Sequence, residues 1–544
     1  MRSIRHIITL IATALLASNA VARTVEIKIS ACHKPYVENI KKMTSSLGTA
    51  DELILNFDKA GKYEFDGSLK FRCNTTIKGL GPEKTKVIVK EGFTNGKSKI
   101  QDDMFFAVHG STNHRVKAEI KDISFELASH NGILWTDAPK YLVKIWYGNN
   151  VLVDNVVSKT QNAALTNLDL RECSNVVVQN SEFENYNNCK MSGNVWSRGK
   201  QNNIVVRNNI FRKYGNDEAL AFWGGRSGIK DDSELKDIVV EGNQFYYGNK
   251  ANSKEEIKIS VFICFYHFQE DAFKINNKCE VDNIVFKNNS ITIDDVIYRD
   301  ISFNFDSLAN VGKIEISNNT ITNTRKTSSQ KNYMNDISIV GRGRIEYPVI
   351  IKDNTVENHG EILCDGKNSG YTFLSLTGAD VNLEGNLVDS EYGVGLIWCH
   401  AGSMNITMLN NTVASLYKTG ILGSSEGPSK VFITAKGNSF SGDTRLYCKN
   451  LEELTLNFTN NTLNSTDSHI FIQEGSPKTS VVFDGNTVNA IRGKGNMYAN
   501  YSGKPCKFTK LQVTNNTFNG LSKKSLEDSF KNVRNKSLNG NVYR

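Results

Sequence analysis

Residues 203–226 read NIVVRNNIFRKYGNDEALAFWGGR, and the two halves of this stretch behave differently along the chain. The first half is a short strand with alternating apolar residues, followed by an asparagine and an aromatic residue, and this unit recurs almost to the end of the sequence. The second half places two adjacent carboxylates, Asp217 and Glu218, at the start of another strand and does not recur in this form. The repeated half therefore predicts scaffold, and the singular half is where we look for chemistry.

The repeated unit sets the fold class. Copies such as DIVVEGNQF at 237, PVIIKDNTV at 348 and KLQVTNNTF at 510 are separated by 23 to 46 residues without helical patterns between them. A period in this range, built from strands and turns, predicts coils stacked as a parallel β-solenoid. Apolar residues would stack inside, and each asparagine would occupy a left-handed corner and hydrogen-bond to its copy in the next coil. The predicted ladder consists of Asn209, Asn243, Asn289, Asn319, Asn354, Asn386, Asn411, Asn438, Asn461, Asn486 and Asn516.

The two ends carry different signals. Arg2 and Arg5 precede an apolar run over residues 7–16 and a small-x-small segment at 20–22, which predicts a signal peptide over residues 1–22 and a secreted or periplasmic protein without an integral membrane segment. Helical spacing over 35–47 predicts a lid within an N-terminal cap at 23–60. Residues 525–528 have the form of a capping box, which predicts a short helix within a C-terminal cap at 521–544. The solenoid would fill residues 61–520.

Charge and cysteine content restrict the partners. The net charge of +8 falls to +6 without Arg2 and Arg5, a mild excess that fits a solvated surface or an acidic polymer and predicts no nucleic-acid partner. The ten cysteines have no metal-type spacing, so they would be stacked buried thiols or disulfides such as Cys173 with Cys189. We expect a monomer that binds a polysaccharide.

The repeats, together with the Gly-Leu-Gly segment at 79–81, resemble the right-handed parallel β-helix proteins of the pectate-lyase-like superfamily over about residues 50–520. The resemblance implies an all-β fold, a single-stranded right-handed parallel β-helix with N- and C-terminal capping helices. This superfamily includes lyases, glycoside hydrolases, tailspikes and adhesins. The polygalacturonase motifs are missing, with only near-misses at 344–346 and 358–360, and so is the Trp-x-Asp-His of pectate lyases. Residues 216–226 resemble the acidic strand of calcium-dependent β-helix lyases.

Strand alternation selects a candidate groove. If Leu168 and Leu170 point inward, the residues beside them point outward, and the same argument applies in the next two coils. Stacking these strands would bring paired charges beside aromatic planes, which is what a polysaccharide groove needs. The predicted catalytic residues are Asp217, Arg198, Asp169 and Arg171, and the predicted substrate-binding residues are Trp196, Trp223, Arg226 and Trp146.

Two chemistries and one non-catalytic function fit this set. A lyase acting on a uronate-containing glycan needs a cation to neutralise the carboxylate and a base to remove the C5 proton; the arginines fit, and Asp217 with Glu218 would hold Ca²⁺. A glycoside hydrolase needs two carboxylates about 5–9.5 Å apart, which Asp169 and Asp217 from different coils could supply. A glycan-binding or adhesin-type solenoid would lack a proton acceptor. We expect an enzyme, with the lyase as the leading function.

Overall fold

In the computed structural model, the chain winds as a right-handed parallel β-helix, as the repeat and the resemblance predict. The handedness is the one that a twisted strand favours when it crosses over to a parallel neighbour. The structure describes residues 22–89, 104–127, 141–161, 166–187, 193–215, 218–224, 232–248, 262–267, 278–294, 299–324, 334–342, 344–359, 371–391, 393–417, 420–424, 430–449, 451–466, 469–474, 478–490, 496–499 and 507–544.

The strands form two sheets, and every pairing between strands within them is parallel. The small sheet has 15 strands: Leu69–Phe71, Met104–His109, Tyr141–Trp146, Thr166–Arg171, Val195–Arg198, Leu220–Trp223, Ile263–His267, Arg299–Phe305, Met334–Gly341, Tyr371–Thr377, Gly395–Cys399, Leu422–Ser424, Leu446–Lys449, His469–Glu474 and Asn496–Ala499. The large sheet has 35 strands: Thr24–Lys28, Glu52–Asn56, Gly61–Phe65, Asn74–Lys78, Thr85–Val89, Val116–Leu127, Gly148–Gln161, Ser174–Gln179, Glu182–Asn187, Gln201–Arg207, Ile210–Gly215, Ser233–Glu241, Gln244–Gly248, Cys279–Lys287, Ser290–Ile293, Ala309–Val311, Ile314–Ser317, Thr320–Asn323, Arg344–Ile345, Val349–Lys352, Thr355–Asn358, Val381–Glu384, Leu387–Ser390, Ser403–Leu409, Thr412–Leu416, Lys430–Lys436, Ser439–Gly442, Glu453–Thr459, Thr462–Ser465, Lys478–Asp484, Thr487–Ala490, Phe508–Thr514, Thr517–Asn519, Lys536–Ser537 and Val542–Tyr543.

One continuous apolar core runs along the inside of the solenoid. Leu168 and Leu170 belong to it, as do Val195, Leu220 and Phe222 from the next two strands of the small sheet, so the predicted alternation is confirmed. Because identical positions of neighbouring coils are in register, each buried side chain stacks on its counterpart above and below. The parallel ladder begins and ends outside the 61–520 range expected for the solenoid, with strands Thr24–Lys28 and Val542–Tyr543.

The predicted asparagine ladder is confirmed and extends one step further, to Asn541. In each step the amide nitrogen donates to the side-chain oxygen of the next asparagine and to a backbone carbonyl, and the backbone N–H donates to the same side-chain oxygen. At Asn209, for example, the side-chain nitrogen lies 3.0 Å from Asn243 Oδ1 and 2.9 Å from the Val178 carbonyl. All of the ladder asparagines predicted from the sequence are buried. The ladder thus satisfies buried polar groups at each of these corners.

The backbone at these corners differs from the prediction. The residue with left-handed dihedral angles is the one before each ladder asparagine, as at Asn208 with φ 55° and Gly385 with φ 63°. The ladder asparagine itself is not left-handed, so its side chain can point into the core and bond along the solenoid. The two positions therefore have separate requirements: the first needs a residue that tolerates positive φ, and the second needs an amide.

Short helices lie near both ends of the described chain: an α-helix at Tyr36–Thr44, a 3-10 helix at Ile29–Ala31 and an α-helix at Lys523–Ser529. The last begins earlier than the predicted capping box, because Ser522 is the N-cap and its Oγ accepts from the Ser525 N–H. That these helices cap the solenoid stays a prediction.

In the described ranges no helix is long and apolar enough to cross a bilayer.

The thiol of Cys173 is free and buried, which contradicts the suggested disulfide with Cys189, a residue outside the described ranges. Burial raises the pKa of Cys173 to about 12. Such a thiol stays protonated and behaves as a small apolar core residue.

Candidate functional site

The outer face of the small sheet carries polar and aromatic side chains across four neighbouring strands. Leu168 and Leu170 face the core, so Asp169 and Arg171 lie on the opposite face. Strand register extends these two positions into two rows, which both lie on the outer face and run across the strands. The row that contains Asp169, called the inner row, consists of Lys144, Asp169, Trp196 and Ala221. The row that contains Arg171, called the outer row, lies two residues further along each strand and consists of Trp146, Arg171, Arg198 and Trp223. The structure therefore brings together all six predicted site residues that belong to these strands.

Asp169 is the centre of a group that we call the charged cluster, consisting of Tyr141, Lys144, Asp169, Arg171 and Arg198. Asp169 Oδ1 lies 2.6 Å from Arg198 Nη2, and its Oδ2 lies 2.9 Å from Arg171 Nε. The same carboxylate therefore fixes two guanidinium groups from successive coils. The Arg171 contact is also a hydrogen bond, which is the stronger class of ion pair, whereas the Arg198 contact is an ion pair without hydrogen-bond geometry.

The Tyr141 hydroxyl joins the two arginines from the preceding coil. Its oxygen accepts hydrogen bonds from Arg171 Nη2 at 2.8 Å and from Arg198 Nη2 at 3.4 Å. In both bonds the oxygen is the acceptor, so the hydroxyl retains its own proton for donation.

Aromatic rings surround the cations of the charged cluster. Lys144 Nζ lies 5.0 Å from the ring centres of both Tyr141 and Trp146. The Arg198 guanidinium lies 4.7 Å from the Trp196 ring centre, and that of Arg171 lies 5.4 Å from Trp146. These are cation–π distances, and they orient the cations without neutralising them.

The charged cluster is more enclosed than the open groove that the sequence analysis predicted. Asp169, Arg198 and Lys144 are 0%, 2% and 3% exposed, while the Arg171 side chain retains 21% and Trp146 is half-buried. The outer face is thus solvent-accessible mainly along the row of Trp146 and Arg171. A cluster with three cations and one carboxylate in a poorly hydrated place attracts an anion more strongly than the same charges in water.

Two donors beside Asp169 have no acceptor in the part of the chain that the structure describes. Arg198 Nη1 and Trp196 Nε1 are both buried and make no hydrogen bond. The two side chains are two residues apart on one strand and share the outer face. Buried donors without partners are uncommon in folded proteins and are expected where a ligand supplies the acceptor.

A small apolar group adjoins the charged cluster. This group is buried on the outer face and consists of Trp196, Ala221, Cys264 and Tyr266, with Trp223 packed against them. Trp196 and Trp223 stack with ring centres 6.2 Å apart. Gly193 permits this position of Trp196, since a Cβ there would lie 2.0 Å from the indole nitrogen. The predicted aromatic residues thus form one wall beside the charges.

The calcium prediction rests on residues that the structure describes only in part. Glu218 is 8% exposed and precedes the strand Leu220–Trp223, whereas Asp217 and Arg226 lie outside the described ranges. Within the part of the chain that the structure describes, no three His, Cys, Asp or Glu side chains form a potential metal site. The calcium site therefore stays a prediction.

Three residues of this face were not selected from the sequence: Tyr141, Lys144 and His109. His109 ends the strand Met104–His109 and is in register with Trp146. The alternation rule could have found Lys144, because Val143 and Ile145 are inward positions on either side of it. The same rule places His109 outward, because Phe106 and Val108 are inward positions before it. Tyr141 carries no such signal, since its role depends on contacts between coils.

Comparisons with known proteins come from solved structures. No protein-family model matches the chain, and no curated protein matches it. The catalytic domain of a GH87 α-1,3-glucanase is 12% identical, with 92% of this chain and 70% of that one covered and a TM-score of 0.32. An alginate lyase from Paenibacillus sp. str. FPU-7 is 12% identical, and the alignment covers 64% of this chain and 97% of that one with a TM-score of 0.31. A mutant tailspike protein of E. coli bacteriophage HK620, in complex with a pentasaccharide, is 8% identical, and the alignment covers 95% of this chain and 76% of that one with a TM-score of 0.42. At these identities the likeness extends to the fold.

Proposed function

We propose that the protein is a polysaccharide lyase that cleaves a uronate-containing glycan by β-elimination. The observation that supports this most is the charged cluster: Arg171 and Arg198 both pair with Asp169, Lys144 lies beside it in register, and Arg198 Nη1 has no hydrogen-bond acceptor among the described residues. β-Elimination requires neutralisation of the uronate carboxylate so that the C5 proton becomes acidic. Fixed cations with one such unpartnered donor suit that step.

Each group of the charged cluster then has a role. Arg171, the most accessible cation, and Arg198 bind the uronate carboxylate, and Asp169 holds both guanidinium groups in place. Asp169 is thus a positioning residue in this proposal, whereas the sequence predicted it to be one of the catalytic residues. Tyr141 donates its hydroxyl proton to the leaving oxygen, because both arginines already orient that hydroxyl. Trp146 gives a flat, half-buried surface for a sugar ring.

The contacts of Asp169 disfavour the hydrolase alternative. Both of its oxygens are engaged with guanidinium groups, so it presents neither a proton nor a free oxygen to a glycosidic bond. A purely glycan-binding solenoid would use the same charges without a proton acceptor. No step of our proposal uses Ca²⁺, and the calcium site at Asp217 and Glu218 remains a separate proposal. Export, with residues 1–22 removed, and a monomeric state complete the proposal.

The test is a screen of the purified protein on acidic and neutral polysaccharides, with and without a calcium chelator. A lyase produces an unsaturated uronide, which absorbs in the ultraviolet, and does so only on acidic glycans. New reducing ends without that absorbance would identify a hydrolase. Retention of the glycan without either product would identify a binding protein, and both results would overturn the proposal.

A further inference from the structure

His109 lies at the edge of the charged cluster and is not used by the roles assigned above. It is in register with Trp146, and the two rings meet edge to face with centres 4.4 Å apart. Its Nε2 atom is buried and makes no hydrogen bond. Because a histidine ring nitrogen is costly to bury without a partner, this atom requires an explanation.

The surroundings of His109 keep its imidazole neutral. Burial lowers its pKa to about 4, helped by Lys70 and Arg72 from one neighbouring coil and by Lys144 and Arg171 from the other side. Among the described residues, the charged groups that shift this pKa are all cations. The imidazole therefore carries a lone pair at neutral pH, in contrast to the protonated ammonium and guanidinium groups nearby.

His109, Trp146 and Arg171 occupy successive positions of the outer row. Neighbouring strands of a sheet are about 4.8 Å apart, so His109 and Arg171 are separated by about 10 Å of sheet with the Trp146 ring between them. Both contact that ring, His109 at 4.4 Å and the Arg171 guanidinium at 5.4 Å. A sugar ring placed against Trp146 would therefore have a cation on one side and a neutral base on the other.

We propose that His109 is the proton acceptor of the reaction, a catalytic role that rests on the lyase function proposed above. Its Nε2 takes the C5 proton of the uronate that Arg171 and Arg198 bind. The C5–H electron pair becomes the C4–C5 double bond, the bond from C4 to the glycosidic oxygen breaks, and that oxygen takes the proton of Tyr141. His109 then releases its proton to water and Tyr141 regains one, so the net change is cleavage of one chain into two, one with an unsaturated end.

The first test is the variant His109→Gln on an acidic glycan that the wild-type protein cleaves. We expect kcat to fall about 100-fold or more while KM changes less than about threefold, as for loss of a general base. His114→Gln, a half-buried histidine in the turn after the same strand, is the matched control and should retain wild-type kcat. In the wild type, kcat/KM should fall as the pH drops through about 4, because protonated imidazole cannot accept a proton. His109→Gln should lack that additional loss.

A second variant separates chemistry from folding. In His109→Ala, free imidazole should restore turnover in proportion to its concentration, which a structural role for the ring would not produce. Wild-type kcat in His109→Gln, or absence of rescue in a folded His109→Ala, would overturn the assignment of His109 alone. Failure of the wild-type protein to cleave any acidic glycan would instead overturn the lyase proposal.

Discussion

The asparagine ladder and the charged cluster are two buried polar regions of the same solenoid, built on opposite principles. In the ladder one residue type recurs, and each amide meets an identical amide one coil away, as at Asn354 with Asn319 and Asn386. In the charged cluster, neighbouring coils contribute different groups at the same register position, as Asp169 and Trp196 do. Repetition satisfies every buried amide of the ladder, whereas variation in the charged cluster leaves donors without partners.

This difference indicates which buried polar groups stabilise a repetitive fold and which can bind a ligand. A ladder amide has its partners within the protein, so a ligand can add nothing to it. The charged cluster and the adjoining Trp196 leave two buried donors, Arg198 Nη1 and Trp196 Nε1, without an acceptor among the described residues, which is costly unless a ligand supplies one. Later coils of the small sheet support the contrast. The inner-row positions after Cys264 are Ser302, Ser338 and Ser375, which carry no charge.

The largest expected effect is on catalysis. Arg198→Ala should lower turnover on the acidic substrate by about 100- to 1000-fold, because it removes the buried cation with the unpartnered donor. Steady-state rates would measure this, at a temperature well below the unfolding midpoint of the variant. Arg207→Ala is the matched control, since its guanidinium binds Gln179 on the exposed face of the large sheet. Equal rates in both variants would place the active site elsewhere.

The next effect is on stability. Asn354→Ala should lower the free energy of unfolding by about 3 kcal/mol, because the Asn319 backbone N–H loses its side-chain acceptor and the Ile316 carbonyl loses the bond from Asn354 Nδ2. Asn386 Oδ1 loses one of its two donors in Asn354 and keeps the backbone N–H. Chemical denaturation would measure it, and turnover should stay at the wild-type value. Asn382→Ala, a half-buried position in the next coil, should change the free energy of unfolding by less than about 0.5 kcal/mol. If the two variants are equally stable, the ladder does not support the fold.

A smaller effect is expected at the accessible aromatic residue. Trp146→Ala should raise KM about tenfold and change kcat less, because the ring would contact the sugar without taking part in proton transfer. Initial-rate measurements over a range of substrate concentrations separate the two parameters. Tyr347→Ala, which removes an exposed ring far along the chain, serves as the comparison. A kcat loss as large as the one expected for His109→Gln would contradict this division of roles.

The smallest effect concerns the corner before a ladder asparagine. Gly385 has φ 63°, and Asp353 and Asn410 occupy the same conformation in the adjacent coils. Gly385→Ala should therefore destabilise the protein by about 1 kcal/mol, whereas Gly385→Asn should cost less than half of that. Thermal unfolding of both variants would measure the difference. A more stable alanine variant would contradict the requirement for a residue that tolerates positive φ.

The ladder and the inward alternation were predictable from the sequence because both follow from spacing along the chain. Ladder residues such as Asn354 recur at a fixed point of each unit, and Leu168 with Leu170 sets the faces of its strand. The left-handed residue was assigned one position too late, since the repeat contains two adjacent polar residues and spacing cannot tell which of them turns the chain.

The charged cluster was only partly predictable. Alternation placed Asp169 and Arg198 on the right face, but their burial and their ion pair depend on neighbouring coils, which a single strand pattern does not specify. Alternation also places His109 on this face, but the roles of Tyr141 and His109 depend on contacts between coils, for which the sequence has no local signal. Asp217, predicted to be catalytic and to bind calcium, lies outside the described ranges, so its role remains a prediction.

The most direct test of the account is whether the charged cluster recognises a carboxylate. Trp146, Trp196 and Trp223 lie in or beside it, so tryptophan fluorescence can report binding of an acidic oligosaccharide and of the same oligosaccharide with its carboxylates reduced to alcohols. The account predicts that the acidic form binds at least about 100-fold more tightly, and that Arg198→Ala removes most of this preference. Equal affinity for the two forms in the wild-type protein would contradict it.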